Sequence, residues 1–403
     1  MIGESIGRPR RLSPRIFIFV TVFVDMLGYG IVIPLLPLYV ERLAAGGTLV
    51  GLLGSLYALA QSFGGPLLSG LSDRHGRRPV LLVCLLGTSL AYVLLGLADT
   101  LWLVVAAILL DGLTGGNLST AQAYIADTTP PEERAGGFGL VSAAFGVGMM
   151  AGPILGGALS RYGLSAPAFA AAAIAFANVT FGLLVLPESL PPEQRSRAAL
   201  IRLNPVGQLV EAMRLRGTRG LLLTILLLNL AFSGLQSNFP IFSGARFGWD
   251  AAANALFYAF VGVCAVVTQA VLLGWLRRRF GDRALALGGM ALMAATLALM
   301  ALAPQDWMLY PIVALLAIGS NLSIPCLTSL LSSRVGPAGQ GRLMGNLQLV
   351  LTAALVGGPL IAGLSFDRLG APAPYALGSL LALLALVVGR ATDVSSRAGP
   401  PSG

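Results

Sequence analysis

Two aspartates stand inside apolar stretches of the chain, where a charge is costly. Asp25 lies nine residues into the run that begins at Ile16, and Asp111 closes the run that begins at Leu101. At about 1.5 Å per residue, Asp25 sits near the middle of a helix long enough to cross a bilayer. An aspartate at that depth costs roughly 2.5–3.5 kcal/mol, so a functional role is its default reading. The chemistry open to it is uptake and release of a proton, because burial raises the proton affinity of a carboxylate. Asp111 lies at a similar level, and the residue one turn before it is Ile108, with no guanidinium to hold it ionised. Buried carboxylates without a cation share a proton when they are close. Asp25 and Asp111 are therefore expected to form one coupled protonation site; the alternative for Asp111 is a local hydrogen bond within its own helix. Asn229, Ser233 and Gln236 follow i, i+4, i+7 and put a polar stripe on one helix face. That stripe, with Gln122 and with Tyr29 one turn from Asp25, either lines a substrate cavity or serves helix packing.

Other chemistries are excluded by what the chain lacks. Lysine is absent, so all 26 basic residues are arginine. There is no phosphate-loop lysine and no Schiff-base lysine. A single histidine, His75, and three scattered cysteines (Cys84, Cys264, Cys326) give neither metal-ligand spacing nor a disulfide framework. No cofactor, no metal and no enzyme chemistry is expected.

The elements that must position these residues are membrane spans. Of 403 residues, 56% are apolar and 11% charged, against about a quarter charged in soluble domains. Apolar runs of roughly 20 residues match the 30 Å of hydrocarbon. Twelve spans are expected at 16–40, 49–70, 79–98, 101–126, 136–160, 166–186, 219–242, 252–276, 284–303, 307–332, 342–366 and 371–390. Their connections hold 22 arginines on the side of both termini and 4 on the other, namely Arg42, Arg161, Arg246 and Arg368. By the positive-inside rule both termini are expected in the cytoplasm, in a cell (inner) membrane. The net charge of +9 is thus a topology signal, and no nucleic-acid partner is expected. The tryptophans Trp102, Trp249, Trp275 and Trp307 fall at span ends, as an interfacial belt requires. In the longest polar connection, 188–218, Asn204 and Pro205 can start a short helix. Its stripe of Val206, Leu209, Val210 and Met213 would lie on the inner membrane surface.

The same features occur twice. Asn117-Leu118-Ser119 returns as Asn321-Leu322-Ser323 at an offset of 204, and Gly152-Pro153 as Gly358-Pro359 at 206. Gly70 returns as Gly274, and Arg161-Tyr162-Gly163 as Arg368-Leu369-Gly370. The expected architecture is all-α, with two pseudo-symmetric six-helix halves, 1–187 and 219–403, joined by a cytoplasmic loop at 188–218. Transporters of such repeats bind substrate at the interface of the halves, near mid-membrane.

Four stretches of the chain carry a resemblance. The connection after span 2 reads Gly70-Leu-Ser-Asp73-Arg74-His-Gly76-Arg77-Arg78. Span 5 contains Gly139-x8-Gly148-x3-Gly152-Pro153-x2-Gly156-Gly157, and span 1 contains Asp25-Met-Leu-Gly28-Tyr-Gly30-Ile-Val-Ile-Pro34-Leu-Leu-Pro37. Span 4 ends Ala123-Tyr124-Ile125-Ala126-Asp127-Thr128. With these the chain resembles the major facilitator superfamily, and within it the twelve-span drug:proton antiporters related to tetracycline exporters. The resemblance implies that Asp73 latches a cytoplasmic gate by binding the start of span 11, where a helix N-terminus favours an anion. It implies a charge cluster of Asp73, Arg77 and Asp127, flanked by Gly70, Arg74, Gly76 and Arg78. It makes the span 5 glycines and Pro153 an antiporter motif, with plain small-residue packing as the alternative. It also adds Gln269 to the cavity candidates.

The chain departs from that pattern where related exporters carry an arginine in span 4, here Ile108. Tetracycline exporters have an aspartate in span 3 and a histidine in span 8, where this chain has Ala91 and Ala265. The cargo is expected to be neutral or cationic and partly apolar, exchanged for protons by a monomer in a lipid bilayer. The alternatives are an uptake carrier for a neutral solute such as a sugar, and a non-transporting sensor or scaffold.

Overall fold

A peptide group inside hydrocarbon must find its hydrogen bond within the protein, and a helix provides it within one segment. The apolar stretches accordingly form helices in the computed structural model, which describes residues 14–32, 36–42, 46–130, 134–195, 207, 217–336 and 339–392. No strand occurs among them. Span 1 is a helix over Pro14–Val32 followed by a short one over Leu36–Arg42. Span 2 is Gly47–His75, span 3 Arg77–Gly96, span 5 Arg134–Ser160 and span 6 Ser165–Val185. Span 4 breaks at Gly115 and Gly116 into Leu101–Thr114 and Asn117–Thr128. In the second half, span 7 is Arg219–Phe247, and span 8 runs from Ala251–Val267 through a π turn at Thr268–Leu272. Helix Leu273–Leu302 contains the end of span 8 and all of span 9, divided at Gly281. Spans 10, 11 and 12 are Leu309–Ser332, Gln340–Leu369 and Ala373–Ala391.

The chain is a multi-pass membrane protein. By length and apolarity alone, ten stretches qualify as crossings. The number falls short of twelve because 251–302 counts as one stretch and the polar, glycine-rich span 2 is not counted. The surface helix expected from Asn204 to Met213 lies, apart from Gly207, outside the described residues, as does Pro34.

Two glycines let the chain reverse between consecutive spans. Gly76 (φ 106°) separates spans 2 and 3, and Gly281 (φ 74°) separates spans 8 and 9. A positive φ strains any residue with a Cβ, so both turns demand glycine. They are 205 positions apart and mark the same corner in each half. The buried apolar clusters also divide by half. One gathers Leu53, Tyr92, Val104 and Ile108 in the first half, and another gathers Leu228, Met290, Met293, Leu297 and Leu316 in the second.

Across the boundary between halves, spans 2 and 11 pack backbone to backbone. A Cβ on Gly51 would overlap the Pro359 carbonyl, and one on Gly363 would overlap the Gly47 carbonyl. Overpacking a tight contact costs about 1–3 kcal/mol. Gly51→Val should therefore lower the thermal midpoint of the purified protein, whereas Gly65→Ala, where nothing lies within 4 Å, should not. Equal midpoints for Gly51→Val and wild type would show that the two helices do not meet this closely.

Candidate functional site

Asp25 is the twelfth residue of the first helix, Pro14–Val32, and its partner comes from the break in span 4. After Gly116 the chain re-enters a helix at Asn117, which is buried, and its side-chain Nδ2 donates to Asp25 Oδ1 at 2.6 Å. The Oδ1 of the same amide is buried with no hydrogen-bond partner. An amide is both donor and acceptor. Asn117 can thus donate to a carboxylate, and after rotation accept from the O–H of a carboxylic acid. In the sequence Asn117 stands out only as a marker of the repeat; an amide at membrane depth is the signal for its role.

Two cavities lie near these residues. The larger, about 510 Å³, is walled by spans 1, 4 and 5 on one side and by 7, 8 and 10, with Met300 of span 9, on the other. Phe145, Met149, Phe239 and Phe257 dominate it, with amides from Gln122, Gln236, Gln269 and Asn321. The π turn of span 8 carries Gln269, whose Nε2 donates to Asn321 Oδ1 at 2.7 Å. Such turns recur at functional positions because they shift a helix's register locally. The smaller cavity, about 120 Å³, is lined by Tyr29, Tyr57, Tyr92, Asp111, Ser233 and Gln236, among others. Gln236 faces both cavities. Asp25 and Asn229 line neither, and Asn229 donates back to the Ile225 carbonyl of its own helix at 2.9 Å. Ser233 donates to the Ala354 carbonyl of span 11 at 2.9 Å. No arginine or histidine appears among the described residues lining either cavity.

The span 5 glycines press that helix onto the Asp25 segment of span 1. A Cβ on Gly148 would lie 2.8 Å from the Phe23 carbonyl, and one on Gly152 2.6 Å from Gly30 Cα. A Cβ on Gly156 would come 3.0 Å from the Ile31 carbonyl, while Gly157 abuts Ala255 of span 8 in the other half. Pro153 meets Gly30 beside them, and Gly139 lies farther along the same helix. Only absent side chains allow this approach.

At the arginine-rich end Arg77 gathers the charges. It is mostly buried, and its guanidinium donates to Asp127 Oδ2 at 2.9 Å, to Ser72 Oγ at 2.7 Å and to Asp73. The Asp73 carboxylate rests on Arg77, on the neighbouring turn of its own half. Gly70 lies on span 2, and Arg74 in its last turn is exposed. Arg78 donates to the Leu183 carbonyl of span 6 at 2.8 Å. Span 3 begins without a capping side chain of its own, and Glu188 takes that role from the central connection. Its Oε1 accepts the Arg77 N–H at 2.8 Å and its Oε2 the Arg78 N–H at 3.3 Å. A carboxylate at a helix N-terminus satisfies orphan N–H groups and complements the dipole. Glu188 was missed in the sequence because the two ends of the contact are 111 residues apart.

The second half builds the same corner with the charges exchanged. Arg277 stands at the end of span 8 and binds Asp282, with its Nη2 at 2.7 Å from Oδ2 and 2.8 Å from Ser329 Oγ. Burial alone would raise the proton affinity of Asp282, but hydrogen bonds from Arg277 and Ser329 outweigh it and hold the group below the usual carboxylate range.

At the arginine-poor end a carboxylate crosses between the halves. Asp367, in the last turn of span 11, accepts the Gly47 N–H at 2.8 Å and the Thr48 N–H at 2.7 Å. These are the first residues of span 2, which has no side-chain cap of its own. Deeper in, Ser55 Oγ donates to the Val356 carbonyl at 2.5 Å. Spans 2 and 11 therefore meet at this end of the interface. Asp367 is exposed, so its charge–dipole attraction is worth about 0.3–1 kcal/mol. Asp367→Asn should shift the population toward states open at this end by roughly two- to five-fold. Distances between spin labels on the arginine-poor ends of spans 2 and 11 would report it, and an unchanged distribution would reduce Asp367 to a local cap.

The profile of the Major Facilitator Superfamily matches residues 18–281 and again 262–402. The tetracycline resistance protein of class C from Escherichia coli is 37% identical over 349 residues, covering 86% of this chain and 88% of that one. The class E protein from the same organism is 33% identical over 347 residues, covering 85% of each. Among solved structures, the human organic anion transporter MFSD10 has a TM-score of 0.70 at 24% identity, covering 95% of this chain and 100% of that one, a likeness of fold. A shared family profile, two matching halves and a cavity between them agree: the chain belongs to the major facilitator superfamily of membrane transporters, alongside the tetracycline resistance proteins.

Proposed function

We propose that this chain is a proton-coupled exporter of partly apolar, neutral or cationic small molecules, working by alternating access with its arginine-rich side in the cytoplasm. The observation that carries the reading is Asp25 held by one neutral partner, Asn117, at membrane depth. A proton on Asp25 removes a charge from low dielectric. Asn117 offers a donor to one protonation state and an acceptor to the other, so neither is left without a partner. Asp111 in the smaller cavity acts with Asp25 as the second carboxylate, which links cargo to proton.

The large cavity suits the cargo. Ligand pockets typically hold about 300–1,000 Å³ and are mostly apolar with a few placed polar groups. At about 510 Å³, with aromatic, methionine and amide walls, this one fits a drug-sized molecule. The absence of arginine and histidine from its described lining favours neutral or cationic cargo over the organic anions for which the human structural neighbour is described. Relatives named for antibiotic resistance support outward movement. Ala91 lines the small cavity and Ala265 the large one, where tetracycline exporters carry an aspartate and a histidine; this favours a cargo other than tetracycline.

Alternation follows from the two ends of spans 2 and 11. Asp367 seals the arginine-poor end in the state described. In the opposite state Asp73 takes the first turn of span 11, leaving Asp127 on Arg77. Asp73→Asn should then disfavour closure at the arginine-rich end by about two- to five-fold, read from labels on the inner ends of the same two spans.

The direct test is transport in inside-out vesicles with an imposed pH gradient and a panel of lipophilic cations and neutral drugs. Wild type should accumulate cargo uphill. Asp25→Asn should lose uphill accumulation while retaining substrate binding and substrate–substrate exchange. Pumping by Asp25→Asn at the wild-type rate would place the proton on another group.

A further inference from the structure

We propose that the small cavity around Asp111 is a subsite for an organic ammonium group, so that the preferred cargo carries an alkylated nitrogen cation. The inference rests on the transporter reading above and narrows its cargo. Asp111 shares this cavity with three tyrosines on three different spans, Tyr29, Tyr57 and Tyr92. The Tyr29 and Tyr57 rings lie 5.7 Å apart with their planes tilted by 39°, and Gln61 Nε2 donates to the Tyr57 hydroxyl at 3.3 Å. Tyr92 is buried, and its ring fills the space that a Cβ on Gly28 would take. Most of the remaining wall is aliphatic, including Val32, Leu36 and Ile108, and its other polar side chains, Gln61, Ser233, Gln236 and Ser237, are all neutral.

Each part of this lining selects the same chemistry. The carboxylate supplies a counter-charge, and no arginine or histidine among the described lining residues competes for it. Aromatic faces attract cations, and the attraction grows when water is excluded. An anion would meet a carboxylate and no cation among the described lining residues. A hard metal ion takes six or more oxygen ligands, with carboxylates to balance its charge, and this lining offers a single carboxylate. An alkylated ammonium needs no hydrogen bonds and tolerates apolar neighbours. Size agrees, because about 120 Å³ is well below the usual ligand pocket and admits a head group rather than a whole drug. Gln236, common to both cavities, marks where the apolar body continues into the larger space.

The test is equilibrium binding to the purified full-length protein of two probes that differ in one atom. One is a naphthylbutyl trimethylammonium, and the other is its neutral isostere ending in a tert-butyl group. Wild type should prefer the ammonium probe by tenfold or more. Asp111→Asn should remove that preference while changing affinity for the isostere less than twofold. Tyr57→Leu should weaken the ammonium probe alone, by about threefold or more, and Tyr57→Phe, which keeps the ring, should restore it. If Asp111→Asn fails to fold, the Tyr57 pair decides. Equal affinity of wild type for the two probes, or equal losses for both in the variants, would overturn the subsite. Vesicle transport separates the two readings: if the binding preference stands but neither probe is driven by a pH gradient, export fails and the subsite survives. If pumping proceeds with no preference for the ammonium probe, the subsite fails and export survives.

Discussion

A carboxylate on the first turn of another helix ties the two halves of this molecule together at its arginine-poor end. Spans 2 and 11 run antiparallel along the boundary of the halves, each begins without a capping side chain, and each carries an aspartate near its end. Asp367 occupies the first turn of span 2, and behind it the backbones meet at Gly51, Pro359 and Gly363. Asp73 occupies the corresponding place at the other end of the pair, where it rests on Arg77. The contact is weak by design of its chemistry: an exposed charge–dipole pair yields fractions of a kcal/mol to about one. Weakness suits a gate, since two states must lie within a few kcal/mol of each other to exchange.

The cost of charge in hydrocarbon organises the interior. Span by span the chain removes ionisable groups from the bilayer, and the two carboxylates that remain are treated differently. Asp25 is set into the wall with an amide that can serve either protonation state. Asp111 faces a cavity among aromatic rings. In the proposed function, that separation assigns one group to the proton and the other to cargo. Close packing of span 5 on span 1 through Gly148, Gly152 and Gly156 holds the Asp25 segment without a side chain between the helices.

The duplication preserves backbone geometry more faithfully than charge. Gly76 and Gly281 make the same turn, yet Asp73 with Arg77 in the first half becomes Arg277 with Asp282 in the second. A guanidinium facing a helix N-terminus would be repelled where a carboxylate is attracted. Latching by charge and dipole therefore belongs to spans 2 and 11, while spans 5 and 8 meet through small residues such as Gly157 and Ala255. Asp25 and Asn229 diverge in the same way, and only the first can carry a proton.

By itself the sequence determined everything that depends on neighbours along the chain. Apolar runs set helix lengths, the common offset exposed two halves, and a lone aspartate in an apolar run marked Asp25. It also yielded twelve spans where apolarity alone finds ten, because the turn at Gly281 and the polar span 2 are legible as motif and repeat but weak as hydropathy. Tertiary structure alone decided which side chains meet. Asn117 came to Asp25 across 92 residues, Glu188 to the start of span 3 across 111, and Asp367 to Gly47 across 320. Tyr57 and Tyr92 joined Asp111, while Asn229 turned back to its own helix. Periodicity and composition fix which face of a helix is polar. Rotation, crossing angle and the separation allowed by glycine fix what that face touches, and those are properties of the packed bundle.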